Sequence, residues 1–318
     1  MNRFLLIDFG ASYVKSILYN KELNFFENLV TEKSPLYNKT KLAKSVVLHK
    51  VKSILKQYDK VDAVVMCSVL GGYYDNDIYY SWKNENSQKV SKDSCLLSEL
   101  FREQKTYHIH NNHNPISSVT GLQVLGYLDG IKFYSSLGDT YCVIESVNLK
   151  ENELLINLGT GSQIIKKNEN YEITAFIPSG RALNTFYTFF KSMDVDIFDK
   201  FNLLSIDDLE KATLDFDLNI FPQSYKFAGG GSIDNIFEDT FNIDNFISSL
   251  FKSYIFQYIE IILSYEGISN LYLTGGISKK YKLITDYISQ ETGIEAQVSS
   301  AAREDTHIGM GNIIRKYL

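Results

Sequence analysis

The sequence predicts an α/β protein built from two related domains with a nucleotide cleft between them. One short pattern occurs twice, at residues 5–12 and 154–161, where an apolar stretch ends in Asp or Asn and turns on Gly and small side chains. Such a hairpin offers backbone N–H groups and little side-chain bulk to a phosphate. Each half also has a later apolar stretch that ends in a Gly pair, at residues 63–72 and 271–276. The repeated order favours two related domains over two unconnected tight β-turns, which would be the simpler interpretation of either hairpin alone.

Composition narrows the class of protein. A length of 318 residues suits about two domains and a sizeable core. A net charge of -6 and scattered lysines argue against a nucleic-acid partner. The cysteines Cys67, Cys95 and Cys142 have neither paired nor C-x-x-C spacing, so no disulfide scaffold or structural zinc is predicted. We expect a cytoplasmic protein with no signal peptide, no apolar run long enough to cross a bilayer and no membrane partner.

The first domain is assigned to residues 1–150. Apolar spacing predicts its elements in this order: a strand hairpin over 3–9 and 13–19, a helix over 42–58, a buried Val-rich strand over 62–70, a short helix over 95–103, a polar loop over 108–115, and a strand from 131 that ends at Gly138 and Asp139. His108, His110 and His113 fall in that polar loop without matching carboxylates, so we predict no metal site there.

The second domain is assigned to residues 151–318. After its own hairpin, the predicted elements are an aromatic-rich helix over 181–193, an acidic helix or linker over 206–216, a long apolar helix over 246–265, a strand over 270–274, a helix over 280–293 and a terminal helix over 306–318. Gly293 is expected to cap the helix that it ends. Gly309 and Gly311 should let the terminal helix lie close to a neighbour.

Four motifs together resemble a known superfamily. Residues 8–15, Asp-Phe-Gly-Ala-Ser-Tyr-Val-Lys, resemble the first phosphate motif of the actin-like, sugar kinase and chaperone ATPases. Their final Val-Lys resembles the xylulokinase and sedoheptulokinase branch of the FGGY carbohydrate kinases. Residues 157–163 resemble the second phosphate motif, residues 273–278 the adenosine motif, and residues 309–311 a late Gly-Ala turn. The resemblance covers most of the chain and implies a two-domain actin-like (ribonuclease H-like) α/β fold with a cleft between the domains. It also implies that the protein uses ATP and Mg²⁺.

The resemblance also implies which residues bind the nucleotide. They come from the two hairpins and the adenosine motif, and are Asp8, Gly10, Ala11, Ser12, Gly159, Thr160, Gly161, Ser162, Gly275, Gly276 and Ser278. Asp8 matches the residue that organises Mg²⁺, acting through water, since Mg²⁺ sheds its water shell reluctantly. The alternative is that Asp8 caps its own turn. Two roles stay open for Lys15: it contacts a phosphate, or it lies on the solvent-exposed face of its strand.

Asp139 is the candidate catalytic residue. Gly138 and Asp139 match the family's Gly-Asp before the second phosphate motif, whose carboxylate accepts the proton of the attacking hydroxyl. A sugar hydroxyl is a weak nucleophile, so a carboxylate within hydrogen-bond reach assists its attack on a phosphoryl group. The alternative is a plain turn after a strand.

The predicted sugar contacts depart from the family pattern. Trp82 and Asn84 stand where relatives carry a Trp-x-Asp-x-Arg type segment, and the Arg is absent here. Trp82 suits stacking on a sugar face or, equally, half-burial in a hairpin. The chain is shorter than is usual for the family, and the gap falls between Trp82 and Asp139, which indicates a shortened first domain and an altered pocket wall.

The predicted function is an ATP-dependent kinase that phosphorylates a hydroxyl of a small sugar or polyol. Two alternatives stay open: a non-catalytic or regulatory nucleotide-binding module of the same fold, and a related phosphohydrolase. The predicted partner is the sugar or polyol, with Asp139 also contacting it. A homodimer is left open.

Overall fold

A computed structural model of the chain describes residues 2–37, 39, 41–68, 70–75, 77–81, 91–95, 122, 124–134, 137–169, 171–221, 230–299 and 304–318. The chain divides into two compact units. Unit 1 comprises Met1–Asn148 and Ala302–Leu318, and unit 2 comprises Leu149–Ala301. The expected division, with residues 151–318 in the second domain, differs from this one because the carboxyl-terminal segment belongs to unit 1.

The elements follow one another along the chain. Those of unit 1 before the boundary are β1 (Arg3–Phe9), β2 (Tyr13–Asn20), β3 (Phe25–Lys33), β4 (Lys41–Ala43), α1 (Lys44–Leu55), β5 (Ala63–Ser68), β6 (Leu70–Asp75), β7 (Ile78–Ser81), β8 (Ser91–Cys95), β9 (Val124–Leu128), β10 (Ile131–Tyr134), β11 (Leu137–Gly138) and α2 (Asp139–Val147). Those of unit 2 are β12 (Glu153–Leu158), β13 (Gly161–Lys167), β14 (Tyr171–Pro178), α3 (Gly180–Lys191), α4 (Ile197–Phe201), α5 (Ile206–Lys211), β15 (Asp215–Phe216), β16 (Ile233–Asp234), α6 (Ile243–Leu263), β17 (Asn270–Thr274), α7 (Gly276–Lys280), α8 (Lys282–Thr292) and β18 (Ala296–Val298). The last helix, α9 (Asp305–Tyr317), is part of unit 1.

The main sheets of the two units share one topology. In unit 1 the strand order is β3-β2-β1-β5-β10-β9, with β11 also paired to β5. In unit 2 the order is β14-β13-β12-β17-β18. Each sheet starts as an antiparallel meander of three strands and continues with parallel strands, β1 with β5 and β12 with β17. The repeated hairpin of the sequence is therefore the first strand pair of each sheet.

Alternation along β1 divides the core of unit 1 between the two faces of its sheet. Leu5, Ile7 and Phe9 pack on one face with α1, whereas Phe4 and Leu6 pack on the other with α2 and α9. Every residue of β5 is buried, because helices cover both faces and leave no polar side to this strand. The predicted Val-rich buried strand is confirmed.

Helix α9 packs closely on α2 through glycine. A β-carbon on Gly309 would overlap the carbonyl oxygen of Cys142 in α2, and one on Gly311 would lie 2.8 Å from the ring of Phe26. Met310, Ile313 and Ile314 then enter the core of unit 1. The predicted close approach is confirmed, and it is the physical reason why the carboxyl-terminal segment joins unit 1.

Other predicted elements are confirmed with shifted ends, and some were missed. The predicted helix over 42–58 covers only α1, because Lys41–Ala43 pair with β7 as β4. The segment 206–216 forms a short helix and a short strand. Strands β3 and β14 and helix α2 were not predicted. Gly293 adopts the left-handed conformation, with φ 68, that ends α8 as predicted. Of the helix predicted over 95–103, only Cys95 is described, and it ends strand β8. The loop predicted over 108–115 lies outside the described residues.

Helix α6 is long and apolar enough to cross a membrane by length and composition, with a mean hydropathy of 1.3. The expectation that no run reaches this length was therefore wrong. The structure gives these residues another use, since 56% of the stretch is buried and Leu250, Phe251 and Tyr254 lie in the core of unit 2. A helix that is packed on most of its surface needs apolar residues all round.

Candidate active site

Asp8 is the next-to-last residue of β1 in unit 1 and lies between two strands. It pairs with Lys15 of β2 on one side and with Cys67 of β5 on the other. The Cys67 thiol donates a hydrogen bond to Oδ1 of Asp8 over 3.4 Å. Burial raises the pKa of Cys67 well above its ordinary range, so the thiol keeps its proton and remains a donor.

The carboxyl group of Asp8 is hard to ionise in this setting. Burial raises its pKa to about 7, and the neighbouring charges of Asp139 and Glu304 also act upward. Lys15 and the Cys67 hydrogen bond act in the opposite direction. A cation bound at Asp8 would favour the ionised form, so this carboxyl is suited to a site that is completed by positive charge.

An ion pair connects the first hairpin to the start of α9. Lys15 Nζ lies 2.7 Å from Oε2 of Glu304, which precedes the first residue of α9. Both side chains are partly exposed, at 26% and 38%. Lys15 therefore spans the gap between the strand next to Asp8 and the helix that closes unit 1.

Asp139 reaches the same edge of the sheet as Asp8. Gly138 pairs with Ser68 of β5, and Asp8 pairs with Cys67 of that strand, so the two acidic residues lie on either side of β5. Strands β1, β5 and β11 run parallel to one another. Their carboxyl ends meet at the edge where α/β sheets bind ligands. Asp139 is the first residue of α2 rather than part of a plain turn. Thr140 donates its N–H to Oδ1 of Asp139 over 2.7 Å, while burial raises the pKa of the Asp139 carboxyl.

The turn of the first hairpin has no room for a side chain at Gly10. A β-carbon on Gly10 would lie 2.8 Å from the carbonyl oxygen of Tyr13. Gly10, Ala11 and Ser12 are all partly exposed, and the carbonyl of Ser12 accepts the N–H of Ser34 over 3.0 Å. The turn is thus narrow and anchored, with surface open to a ligand.

The second hairpin repeats this arrangement in unit 2 with a neutral side chain. Asn157 pairs with Gln163 of β13 and with Thr274 of β17, and Thr274 Oγ1 donates to Oδ1 of Asn157 over 3.3 Å. In the turn, Gly159 is partly exposed and Thr160 and Gly161 are exposed. These three residues are therefore accessible at the surface of unit 2.

Ser162 and Ser278, which the sequence analysis assigned to nucleotide binding, have buried side chains. Each is only 1% exposed. Ser162 Oγ accepts the hydroxyl proton of Tyr258 over 2.9 Å, and Ser278 Oγ donates to the carbonyl of Gly275 over 2.9 Å. Both hydroxyls are therefore used inside unit 2.

The Gly pair of the predicted adenosine motif lies beside the second hairpin. Gly275 has φ 91, and a β-carbon there would overlap the backbone of Leu158. Gly276 is exposed and has open space around its α-carbon. Gly275 therefore lets β17 approach β12 closely, and Gly276 leaves a gap at the surface.

Two predicted sugar contacts lie outside the described residues, namely Trp82 and Asn84. In the described part of the chain, no group of three or more His, Cys, Asp or Glu side chains could hold a metal ion. Mg²⁺ in a nucleotide site needs no such group, since it is bound through one or two carboxylates, water and substrate phosphates. Asp8 has the oxygen donors for this role.

The sequence analysis missed several residues that shape the two hairpins. Gly180 is one: its N–H donates to the carbonyl of Gly159 over 3.1 Å, and a β-carbon on it would lie 2.8 Å from that oxygen. Cys67 and Thr274, the donors to Asp8 and Asn157, are others. Their signal was present in the sequence, because each is at or near the end of the strand that precedes a Gly pair.

Sequence comparison and structure comparison give different results. No family model matches the sequence, and no curated protein matches it. Among solved structures, xylulose kinase from Lactobacillus acidophilus superposes with a TM-score of 0.72 at 11% identity, over 98% of this chain and 89% of the kinase. The fold is actin-like. Gluconate kinase from the same organism gives a TM-score of 0.71 at 12% identity, over 99% of this chain and 89% of that one.

A protein of another class shares the fold at lower similarity. The activator of 2-hydroxyisocaproyl-CoA dehydratase from Clostridium difficile, solved with bound ADPNP, has a TM-score of 0.52 at 12% identity, over 99% of this chain and 94% of the activator. At such identities the comparisons establish the fold and leave the reaction to be argued from the residues.

Proposed function

We propose that this protein is an ATP- and Mg²⁺-dependent kinase that phosphorylates a hydroxyl group of a small sugar or polyol, related to the FGGY carbohydrate kinases. The observation that carries the proposal is the pair of carboxyl groups at one sheet edge of unit 1. Asp139 raises the pKa of Asp8 by its charge, and each group has a raised pKa because of burial. Phosphoryl transfer to an alcohol needs two such groups in different roles.

Asp139 acts as the general base. Its carboxylate accepts the proton of the attacking hydroxyl while the new bond forms between the sugar oxygen and the γ-phosphorus of ATP. The bond from that phosphorus to the bridging oxygen breaks, and ADP leaves. A carboxylate whose pKa is raised by burial holds the transferred proton better than an exposed one, which favours this role near neutral pH.

Asp8 would hold Mg²⁺, through water. Bound Mg²⁺ would neutralise charge on the phosphates of ATP. The fit rests on the Asp8 carboxyl itself, which is partly buried, has a pKa of about 7 and faces a second carboxyl group. The Cys67 thiol holds one of its oxygens in place.

Each hairpin would bind phosphate through backbone N–H groups. The residues are Gly10, Ala11 and Ser12 in unit 1, and Gly159, Thr160 and Gly161 in unit 2. Gly275 and Gly276 would accept the adenosine side, since Gly276 leaves open space at the surface.

A panel experiment tests the function. The protein is incubated with ATP and Mg²⁺ and a set of ketoses, aldoses, heptoses and polyols, and ADP release is followed. Phosphorus NMR of the products identifies a phosphate ester. We expect one class of substrate to increase ADP release well above the rate without sugar. ADP release that no sugar or polyol stimulates would reject the kinase.

A second candidate is a nucleotide-binding module without kinase activity. The fold likeness to the dehydratase activator, which spans 94% of that chain, favours it. It predicts ATP binding with no phosphate ester among the products, so the same experiment separates the two candidates.

A further inference from the structure

Two tyrosines of α6 lie beneath the second hairpin of unit 2. Tyr254 and Tyr258 are one helical turn apart and fully buried, with ring centroids 5.4 Å apart. Both hydroxyl groups point to the segments that frame the hairpin turn. Each makes a hydrogen bond there, as a buried hydroxyl must if it is not to cost stability.

The first anchor is at the start of β13. Tyr258 donates to Oγ of Ser162 over 2.9 Å and also lies 3.4 Å from the carbonyl oxygen of Pro178. The pairing of β13 with β14 is irregular between Ser162 and Gln163. Ser162 directly follows the exposed turn residues, so Tyr258 holds the strand at the point where it leaves the turn.

The second anchor is at the start of α3. Ser179 precedes the first residue of α3, where a serine usually caps the helix with its own side chain. Here Ser179 makes no such cap, and its hydroxyl lies 3.0 Å from that of Tyr254. Gln257, on the same helix, donates to the carbonyl of Pro178 over 2.8 Å.

The two anchors meet at the turn itself. The N–H groups that follow Ser179 donate to the hairpin, from Gly180 to the carbonyl of Gly159 over 3.1 Å and from Arg181 to that of Thr160 over 2.9 Å. The turn carbonyls are thereby fixed on the protein side.

We infer that Tyr254 and Tyr258 are positioning residues of the second phosphate hairpin. Through Ser162 and Ser179 they hold the backbone of residues 159–161 in the geometry that binds the phosphates of ATP. The inference rests on the proposed nucleotide binding and assigns a role to residues that touch no ligand. A small displacement of such a turn weakens its contacts, because the donors must stay within a few tenths of an ångström.

The test compares Tyr258→Phe with Tyr265→Phe. Tyr265 follows α6, and its hydroxyl lies 3.2 Å from that of Thr174 on β14, which pairs with Ile164 and lies beyond the turn. Both variants lose one tyrosine hydroxyl that bonds to the same sheet. The dissociation constant of Mg·ATP is measured by titration calorimetry, and the melting temperature of each free protein is measured alongside.

We expect Tyr258→Phe to weaken Mg·ATP binding about five- to tenfold, the effect of one lost hydrogen bond. Tyr265→Phe should stay within about twofold of wild type. If Tyr258→Phe does not fold, Ser162→Ala removes the same bond from the hairpin side and Ser179→Ala removes the bond to Tyr254, and both should weaken binding in the same way.

Equal binding by Tyr258→Phe and Tyr265→Phe would overturn the positioning role while leaving nucleotide binding intact. Normal Mg·ATP binding by wild type without transfer to any sugar would reject the kinase and leave the positioning role standing. Absence of Mg·ATP binding by wild type would reject both.

Discussion

The two hairpins hold different side chains at one equivalent place. Asp8 in unit 1 and Asn157 in unit 2 are each the next-to-last residue of the first strand of their sheet, and each accepts a hydrogen bond from the neighbouring parallel strand, from Cys67 or from Thr274. Asn is neutral and suits this half-buried place. A charged Asp destabilises the fold there, because burial penalises the ionised carboxylate and raises the pKa of Asp8. A costly carboxyl at one of two equivalent places indicates that its charge is used.

The largest effect is expected at the group that has no counterpart in unit 2. Asp139→Asn should reduce kcat by about 10² to 10⁴-fold with little change in KM, because the amide keeps the shape but accepts no proton. Steady-state rates with the preferred sugar provide the measurement. Unchanged turnover would end the assignment of Asp139 as base, and normal Mg·ATP binding by the variant serves as the control.

Exchanging the two equivalent residues should change stability in opposite directions. The pKa of Asp8 is about 7 when folded and 3.8 ordinarily, so its contribution to stability is present below pH 3.8 and is lost as pH rises through 7. Asp8→Asn should therefore stabilise the free protein at pH 8 by up to about 4 kcal/mol, while Mg²⁺-dependent turnover is lost.

The reciprocal change, Asn157→Asp, should destabilise at pH 8 and have little effect near pH 4. Urea unfolding of both variants at the two pH values measures this. A destabilised Asp8→Asn at pH 8 would contradict the comparison.

A second titrating group makes unit 1 sensitive to acid. His307 in α9 is 1% exposed, and burial lowers its pKa from 6.5 to about 4. Its contribution to stability is present above pH 6.5 and is lost as pH falls from there toward 4, by about 3 kcal/mol. His307→Gln should flatten this part of the stability profile. An identical acid profile in wild type and variant would exclude His307 as its source.

The smallest effect distinguishes the turns of the two hairpins. A β-carbon on Gly10 would lie 2.8 Å from the Tyr13 carbonyl oxygen, whereas one on Gly159 would lie 3.3 Å from that of Gly161. Gly10→Ala should cost about 1–2 kcal/mol of stability and Gly159→Ala less than about 1 kcal/mol. Gly161→Ala is the control, because nothing lies within 4 Å of the added atom. Thermal unfolding of the three variants measures their loss of stability relative to wild type. Equal losses for Gly10→Ala and Gly159→Ala would mean that the two turns are equally tight.

Local patterns were sufficient to predict the first hairpin and the neighbouring parallel strand of each main sheet, but not β3 or β14. Each of these patterns spans only a few consecutive residues, namely the turns at 8–12 and 157–161, the Val-rich strand, and the Gly pair at 275 and 276. The chemistry of a turn or a buried strand is therefore visible in the sequence. The fold class followed because the same order occurs twice. Helix α2 was missed because its nine residues follow Gly138 directly, where a turn was the simpler expectation.

The rest of the candidate site depends on contacts between distant residues. Tyr258 lies far along the chain from Ser162, and Gly180 is separated from Gly159 by two strands. No local pattern marks such pairs. Ser162 and Ser278 were assigned to nucleotide binding because of the motifs that contain them, and only the packing of unit 2 reveals that their hydroxyl groups are buried.

The return of α9 to unit 1 has a consequence for synthesis on the ribosome. Unit 2 is one continuous stretch, Leu149–Ala301, and all of it is synthesised before α9. The core of unit 1 is completed only by Met310, Ile313 and Ile314 of α9. The earlier part of unit 1 must therefore keep one face of its sheet partly uncovered while unit 2 is synthesised, and this interval is where a nascent chain would need protection from aggregation.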